Sequence, residues 1–72
     1  MKQLIHTDFI KLDALLKLTD LVSSGGEAKL RIQSGEVFVN GAPCTMRGKK
    51  CYPGDKIKLE NKEITVVGAC ST

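Results

Sequence analysis

The stretch Ser24–Gly41, SGGEAKLRIQSGEVFVNG, holds a helix start, a helix stop, a strand and a turn with almost no spare residue. Ser24 followed by Glu27 is a capping-box pattern: the serine hydroxyl accepts from the Glu27 amide, and the Glu27 side chain reaches back to the Ser24 amide. The spacing predicts a helix from Gly25 to Ser34, with Ala28 and Ile32 inward, Leu30 at the boundary and Lys29, Arg31 and Gln33 outward. Gly35 stands where a left-handed residue ends a helix, a conformation glycine adopts without steric penalty. Val37-Phe38-Val39 then alternates as a strand, and Asn40-Gly41 is the pair that a tight hairpin turn prefers.

Upstream, Lys2–Ile5 reads as a short edge strand. Phe9, Leu12, Leu15, Leu16 and Val22 recur at spacings of three and four, which predicts a helix over Ile10–Leu18 with Thr7 or Asp8 as its cap. The connection Thr19–Ser23 is short, so the two helices are expected to be close neighbours. Downstream, Ala42–Lys50 is the least regular stretch, and Pro43 excludes a central strand there. Tyr52-Pro53-Gly54-Asp55 is a turn, and two alternating strands follow, with Ile57, Leu59, Ile64 and Val66 inward. The last residues, 68–72, are expected to fray. The predicted fold is α+β, two helices packed on a small, mainly antiparallel sheet, in one domain spanning 1–72.

Seventy-two residues bury only about 60 to 65% of the surface exposed by the unfolded chain, so an enzyme pocket with its own substrate cavity would be hard to fit. The net charge of +3 is unevenly placed. Charges cancel over residues 1–24 and again over 53–72. Residues 25–52 set Lys29, Arg31, Arg47, Lys49 and Lys50 against Glu27 and Glu36. That asymmetry points to an anionic partner, nucleic acid first, or to an ordinary solvated face. The three cysteines, Cys44, Cys51 and Cys70, contain no close pair, and His6 is the single histidine. Free thiols in a reducing compartment fit this pattern better than disulfides or zinc, and no metal or other cofactor is expected. His6, Thr7 and Asp8 interrupt any secretion-signal run, and no stretch approaches the roughly 20 apolar residues of a membrane span, so a cytoplasmic location is expected.

Two groups of residues could carry chemistry. Glycines at the first two helical positions, Gly25 and Gly26, cost about 1 kcal/mol each relative to alanine. Either their bare amides approach a phosphate at the positive helix end, or they allow tight packing against the preceding loop. In Arg47-Gly48-Lys49-Lys50, arginine offers a planar fork and the lysines act as point charges; with Lys29, Arg31 and Lys11 they would make five or six positive groups on one face. The aromatics are Phe9, Phe38 and Tyr52. Phe9 is expected in the core, which leaves too few for base stacking across a sheet, so recognition of a folded RNA by shape and phosphate contacts fits better. Catalysis finds little support. Cys51 beside Lys50 is either a thiol of lowered pKa or a buried structural one.

Lys11-Leu12-Asp13 within KLDALLKL, the SxxEAK block at Ser24–Lys29, GEVFVNG at Gly35–Gly41 and PGDKI at Pro53–Ile57 together resemble the RNA-binding domain named for ribosomal protein S-four. The match covers residues 11–59, the motif core, and the whole chain is most similar to the short stand-alone bacterial members. The resemblance implies an alpha-L RNA-binding motif and a non-enzymatic, ribosome-associated RNA-binding module with structured RNA, ribosomal or transfer, as ligand. It carries RNA-facing roles to Lys11, Ser24, Gly25, Gly26, Lys29, Arg47, Lys49 and Lys50, with Gly48 inside the basic run. Gly25 and Gly26 replace the usual arginine and serine, and Lys11 replaces an arginine. Arg31 stands where the pattern has leucine, either adding a positive group or covering the core edge with its stem. A monomer is expected, with ribosomal or other proteins as further partners. The alternative class is an adaptor that binds an acidic protein in a ribosome-assembly or replication complex; a thiol-redox role ranks third.

Overall fold

The computed structural model describes residues 1–69. Its elements are β1 (Lys2–Ile5), β2 (Ile10–Lys11), α1 (Leu12–Leu18), α2 (Gly25–Gln33), β3 (Val37–Val39), β4 (Ala42–Pro43), β5 (Lys50–Cys51), β6 (Lys56–Leu59) and β7 (Lys62–Gly68). Five strands form one sheet in the order β1-β7-β6-β3-β4, and β2 and β5 form a separate two-stranded ladder. β1 runs parallel to β7, while the other pairs are antiparallel. The fold is thus α+β, two helices on a mixed, mainly antiparallel sheet.

The strands present one face to the helices because alternate residues point the same way. Val37, Val39, Ile57, Leu59, Ile64 and Val66 are buried on that face, against Leu12, Leu15 and Leu16 of α1 and Ala28 and Ile32 of α2. Each fully buried leucine, isoleucine or valine contributes roughly 1.5 to 3 kcal/mol relative to exposure. Leu30 is not at the boundary but 71% exposed.

α2 ends as its sequence predicts. Gly35 has φ +80°, its amide donates to the Ile32 carbonyl at 3.1 Å, and the Glu36 amide donates to the Arg31 carbonyl at 3.2 Å, the paired bonds of a Schellman stop. Asn40 and Gly41 both have positive φ, 53° and 86°, as the β3–β4 turn requires. Asn40 does more than turn the chain. Its amide donates to the Lys56 carbonyl at 2.7 Å, its Oδ1 accepts from the Lys56 amide at 2.9 Å, and its Nδ2 donates to Asp55 at 3.1 Å. The other Asp55 oxygen accepts from the Tyr52 amide at 2.7 Å. The VNG and PGD blocks, distant in sequence, form one lock.

Four further expectations change. α1 begins at Leu12, because Ile10–Lys11 pairs with Lys50–Cys51 instead of entering the helix. Neither Thr7 nor Asp8 caps α1. Lys11 holds the cap position without a side-chain bond, and Thr7 Oγ1 donates to the Phe9 carbonyl at 2.6 Å. Phe9 is only half-buried and lies outside the core. Gly68, expected to fray, closes β7 opposite Ile5, and the Ala69 amide donates to the Ile5 carbonyl at 2.8 Å. Residues 70–72 lie outside the described residues.

Candidate nucleic-acid interface

The basic loop is fastened by its backbone, which leaves its side chains free. β2 sets Lys11 opposite Lys50. The first two amides of α1 need acceptors, and they find them in the loop: Leu12 donates to the Lys49 carbonyl at 2.9 Å and Asp13 to the Arg47 carbonyl at 3.2 Å. The Lys49 amide in turn donates to the Met46 carbonyl at 3.1 Å. The loop therefore caps the helix and the helix holds the loop. Arg47, Gly48, Lys49, Lys50 and Lys11 are all exposed. Among the described residues none of these cations forms an ion pair, since every salt bridge belongs to Arg31.

The start of α2 lies past the other end of α1. Ser24 caps it by accepting from the Glu27 amide at 3.2 Å. The reciprocal half of the capping box goes to a different residue. The Glu27 carboxylate accepts from the amide and hydroxyl of Ser23, at 2.7 and 2.8 Å, and not from Ser24. These bonds, the Ser23 amide first, hold the Glu27 pKa below its ordinary value of 4.5. The Gly25 and Gly26 amides, ahead of the first intrahelical bond, have no partner among the described residues. A Cβ built on Gly25 would meet only the Lys17 side chain, at 3.9 Å, and one on Gly26 only the Ser24 hydroxyl, at 3.8 Å. Both are ordinary contacts, so tight packing does not demand glycine at either position.

That contact also reveals a cation that sequence reasoning misses. Lys17 Nζ lies beside the α2 start. In the linear charge count Lys17 cancels against Asp20, and only the fold shows that it borders the free amides. Lys11 and Lys17 are six residues apart around α1, so the two basic clusters are separated by roughly 10 Å along the helix axis.

Arg31 does not join either cluster. Its guanidinium meets Glu36 at 2.8 Å, Glu60 at 2.9 Å and Glu27 at 3.8 Å. The Glu36 hydrogen bond leads in raising its pKa, and three carboxylates share its charge. Lys29 is exposed on α2.

The aromatic inventory also differs from expectation. Phe9 and Tyr52 pack with ring centroids 5.9 Å apart, and Lys50 Nζ sits 4.9 Å from the Phe9 centroid, a cation–π contact. Cys51 is fully buried, and burial pushes its pKa up to about 11, the opposite of activation by Lys50. Cys70 lies outside the described residues. Among the described residues no group of three or more His, Cys, Asp or Glu side chains could hold a metal ion, and no helix is long and apolar enough to cross a membrane.

Comparison with known proteins agrees with this architecture. The family model described as the S4 domain matches residues 3–67. Over 56 residues the chain is 45% identical to the probable ribosome maturation protein RlbA of Bacillus subtilis (strain 168), a match covering 78% of this chain and 79% of that protein.

Proposed function

Because this chain belongs to the S4 domain family, a non-enzymatic RNA-binding family, we propose that it is a ribosome-associated module that grips the phosphates of a structured RNA, ribosomal or transfer, in the bacterial cytoplasm and as a monomer. The RlbA-like relative is named for ribosome maturation, and the same setting is proposed for this chain. The observation that carries the reading is the pair of basic clusters at the two ends of α1. Lys11, Arg47, Lys49 and Lys50 stand at one end, without an ion pair among the described residues. Lys17 and the open amides of Gly25 and Gly26 stand at the other. Ser24 fixes the second cluster through its cap bond, Gly48 keeps the loop free of a side chain between Arg47 and Lys49, and Lys29 extends the positive surface along α2. Arg31 has no part in it.

Bare amides at a helix start favour an anion, and unpaired lysines add salt-dependent attraction without reading sequence. Gel-shift titration against ribosomal RNA fragments at several salt concentrations is expected to show affinity falling steeply with salt. Flat salt dependence would overturn the phosphate reading. Pull-down before and after nuclease separates this function from a protein adaptor: partners are expected to fall away with the RNA, and acidic proteins that persist would favour the adaptor.

A further inference from the structure

A groove of about 470 Å³ opens beside the basic loop, with Pro43, Met46, Lys49, Lys50 and Tyr52 among its lining residues. We propose that it holds one unpaired nucleobase of the bound RNA stacked on the Tyr52 ring, with Lys49 and Lys50 against its phosphate. This rests on the RNA-binding reading and names what that site adds to phosphate contacts.

The volume falls within the roughly 300 to 1,000 Å³ of small-ligand clefts. Tyr52 is 49% exposed, so ring surface is open, while Phe9, tilted 49° to it, packs against the ring. Lys50 rests over Phe9 and is thereby placed without an acidic partner. Asp55 also lines the groove, but its two oxygens are committed to Asn40 and to the Tyr52 amide. Met46, 63% exposed, lines the same groove and adds an apolar surface for a base. Every base has a π-face, so stacking tolerates sequence, and drawing a base out of a duplex costs a few kcal/mol. The occupant is therefore a nucleotide already unpaired, in a bulge or loop. The larger hollow on the outer sheet face lacks this character, because Glu36, Glu60 and Glu63 outnumber Lys56 and Lys58 there.

The test uses the full chain and two RNA hairpins of equal length, one fully paired and one with a single 2-aminopurine bulge. The protein is expected to quench the 2-aminopurine fluorescence and to prefer the bulged hairpin by about tenfold. Tyr52→Phe keeps both effects. Tyr52→Leu, checked for native circular dichroism, loses both while its salt slope on the bulged hairpin stays unchanged. Equal affinity for the two hairpins without quenching, or quenching that survives in Tyr52→Leu, overturns the base subsite and leaves the phosphate reading standing. Failure to bind either hairpin at low salt overturns both.

Discussion

Arg31 and Arg47 carry the same side chain and the same formal charge, and the fold gives them opposite work. Arg31 meets Glu27, Glu36 and Glu60, tying the end of α2 to the β6–β7 turn. Arg47 lends its carbonyl to the start of α1 and leaves its guanidinium exposed and without an ion pair among the described residues. A count of positive residues sees no difference between them. What separates the two is whether a carboxylate of the fold pairs with them, and among the described residues none forms an ion pair with the loop containing Arg47.

The most severe way to break that contrast is to strip the unpaired set. Replacing Lys29, Arg47, Lys49 and Lys50 together with alanine is expected to reduce RNA affinity at least about a hundredfold at low salt, with a native circular dichroism spectrum. The loop is held by backbone bonds that these substitutions retain. Unchanged affinity in the gel shift would remove the proposed surface.

Gly25→Ala with Gly26→Ala sharpens the contrast from the other end of α1. A Cβ fits at both sites, and alanine favours the helix by up to about 1 kcal/mol per position. Thermal melts are expected to show equal or greater stability, while RNA affinity drops about fivefold as methyl groups crowd the free amides. Lower stability with intact binding would return these glycines to a packing role.

Arg31→Ala is expected to move stability and leave RNA binding within about twofold. The pH dependence carries the signature. Glu36 is held below its ordinary value of 4.5, chiefly by the Ser34 hydroxyl and then by Arg31, and Glu27 is held low chiefly by Ser23. A depressed folded-state pKa gives stability that is present above the ordinary value and lost as pH falls through the folded one. The melting temperature is thus expected to fall as the pH drops below the ordinary value of 4.5, and to fall less steeply in Arg31→Ala. The smallest effect belongs to Cys51. With a pKa of about 11 and no exposed surface, it is expected to resist iodoacetamide at neutral pH in the folded protein and to react once the chain is denatured.

The elements most legible in the sequence are those whose cause is local. The Ser24 cap, the Gly35 stop, the Asn40-Gly41 turn and the alternation of Ile57 with Leu59 each follow from a residue and its near neighbours. The start of α1 is not legible in this way, because Ile10 and Lys11 satisfy a helical period, yet their pairing with Lys50–Cys51 is a long-range event. Its true cap, the carbonyls of Arg47 and Lys49, carries no side-chain signature at all. The same limit governs the site. Arg47, Lys49 and Lys50 stand out as a charge run, whereas Arg31's three partners and Lys17's place beside Gly25 depend on how the helices and the β6–β7 turn come together.

The slope of log affinity against log salt, measured for Lys49→Ala and Arg31→Ala beside the parent chain on one ribosomal RNA fragment, tests the contrast most directly. Removing a single phosphate interaction lowers the slope by about 0.7 to 0.9. Lys49→Ala is expected to show that reduction and Arg31→Ala to superimpose on the parent. A lower slope in Arg31→Ala, or an unchanged one in Lys49→Ala, would contradict the proposed division between a cation that holds the fold and cations that hold RNA.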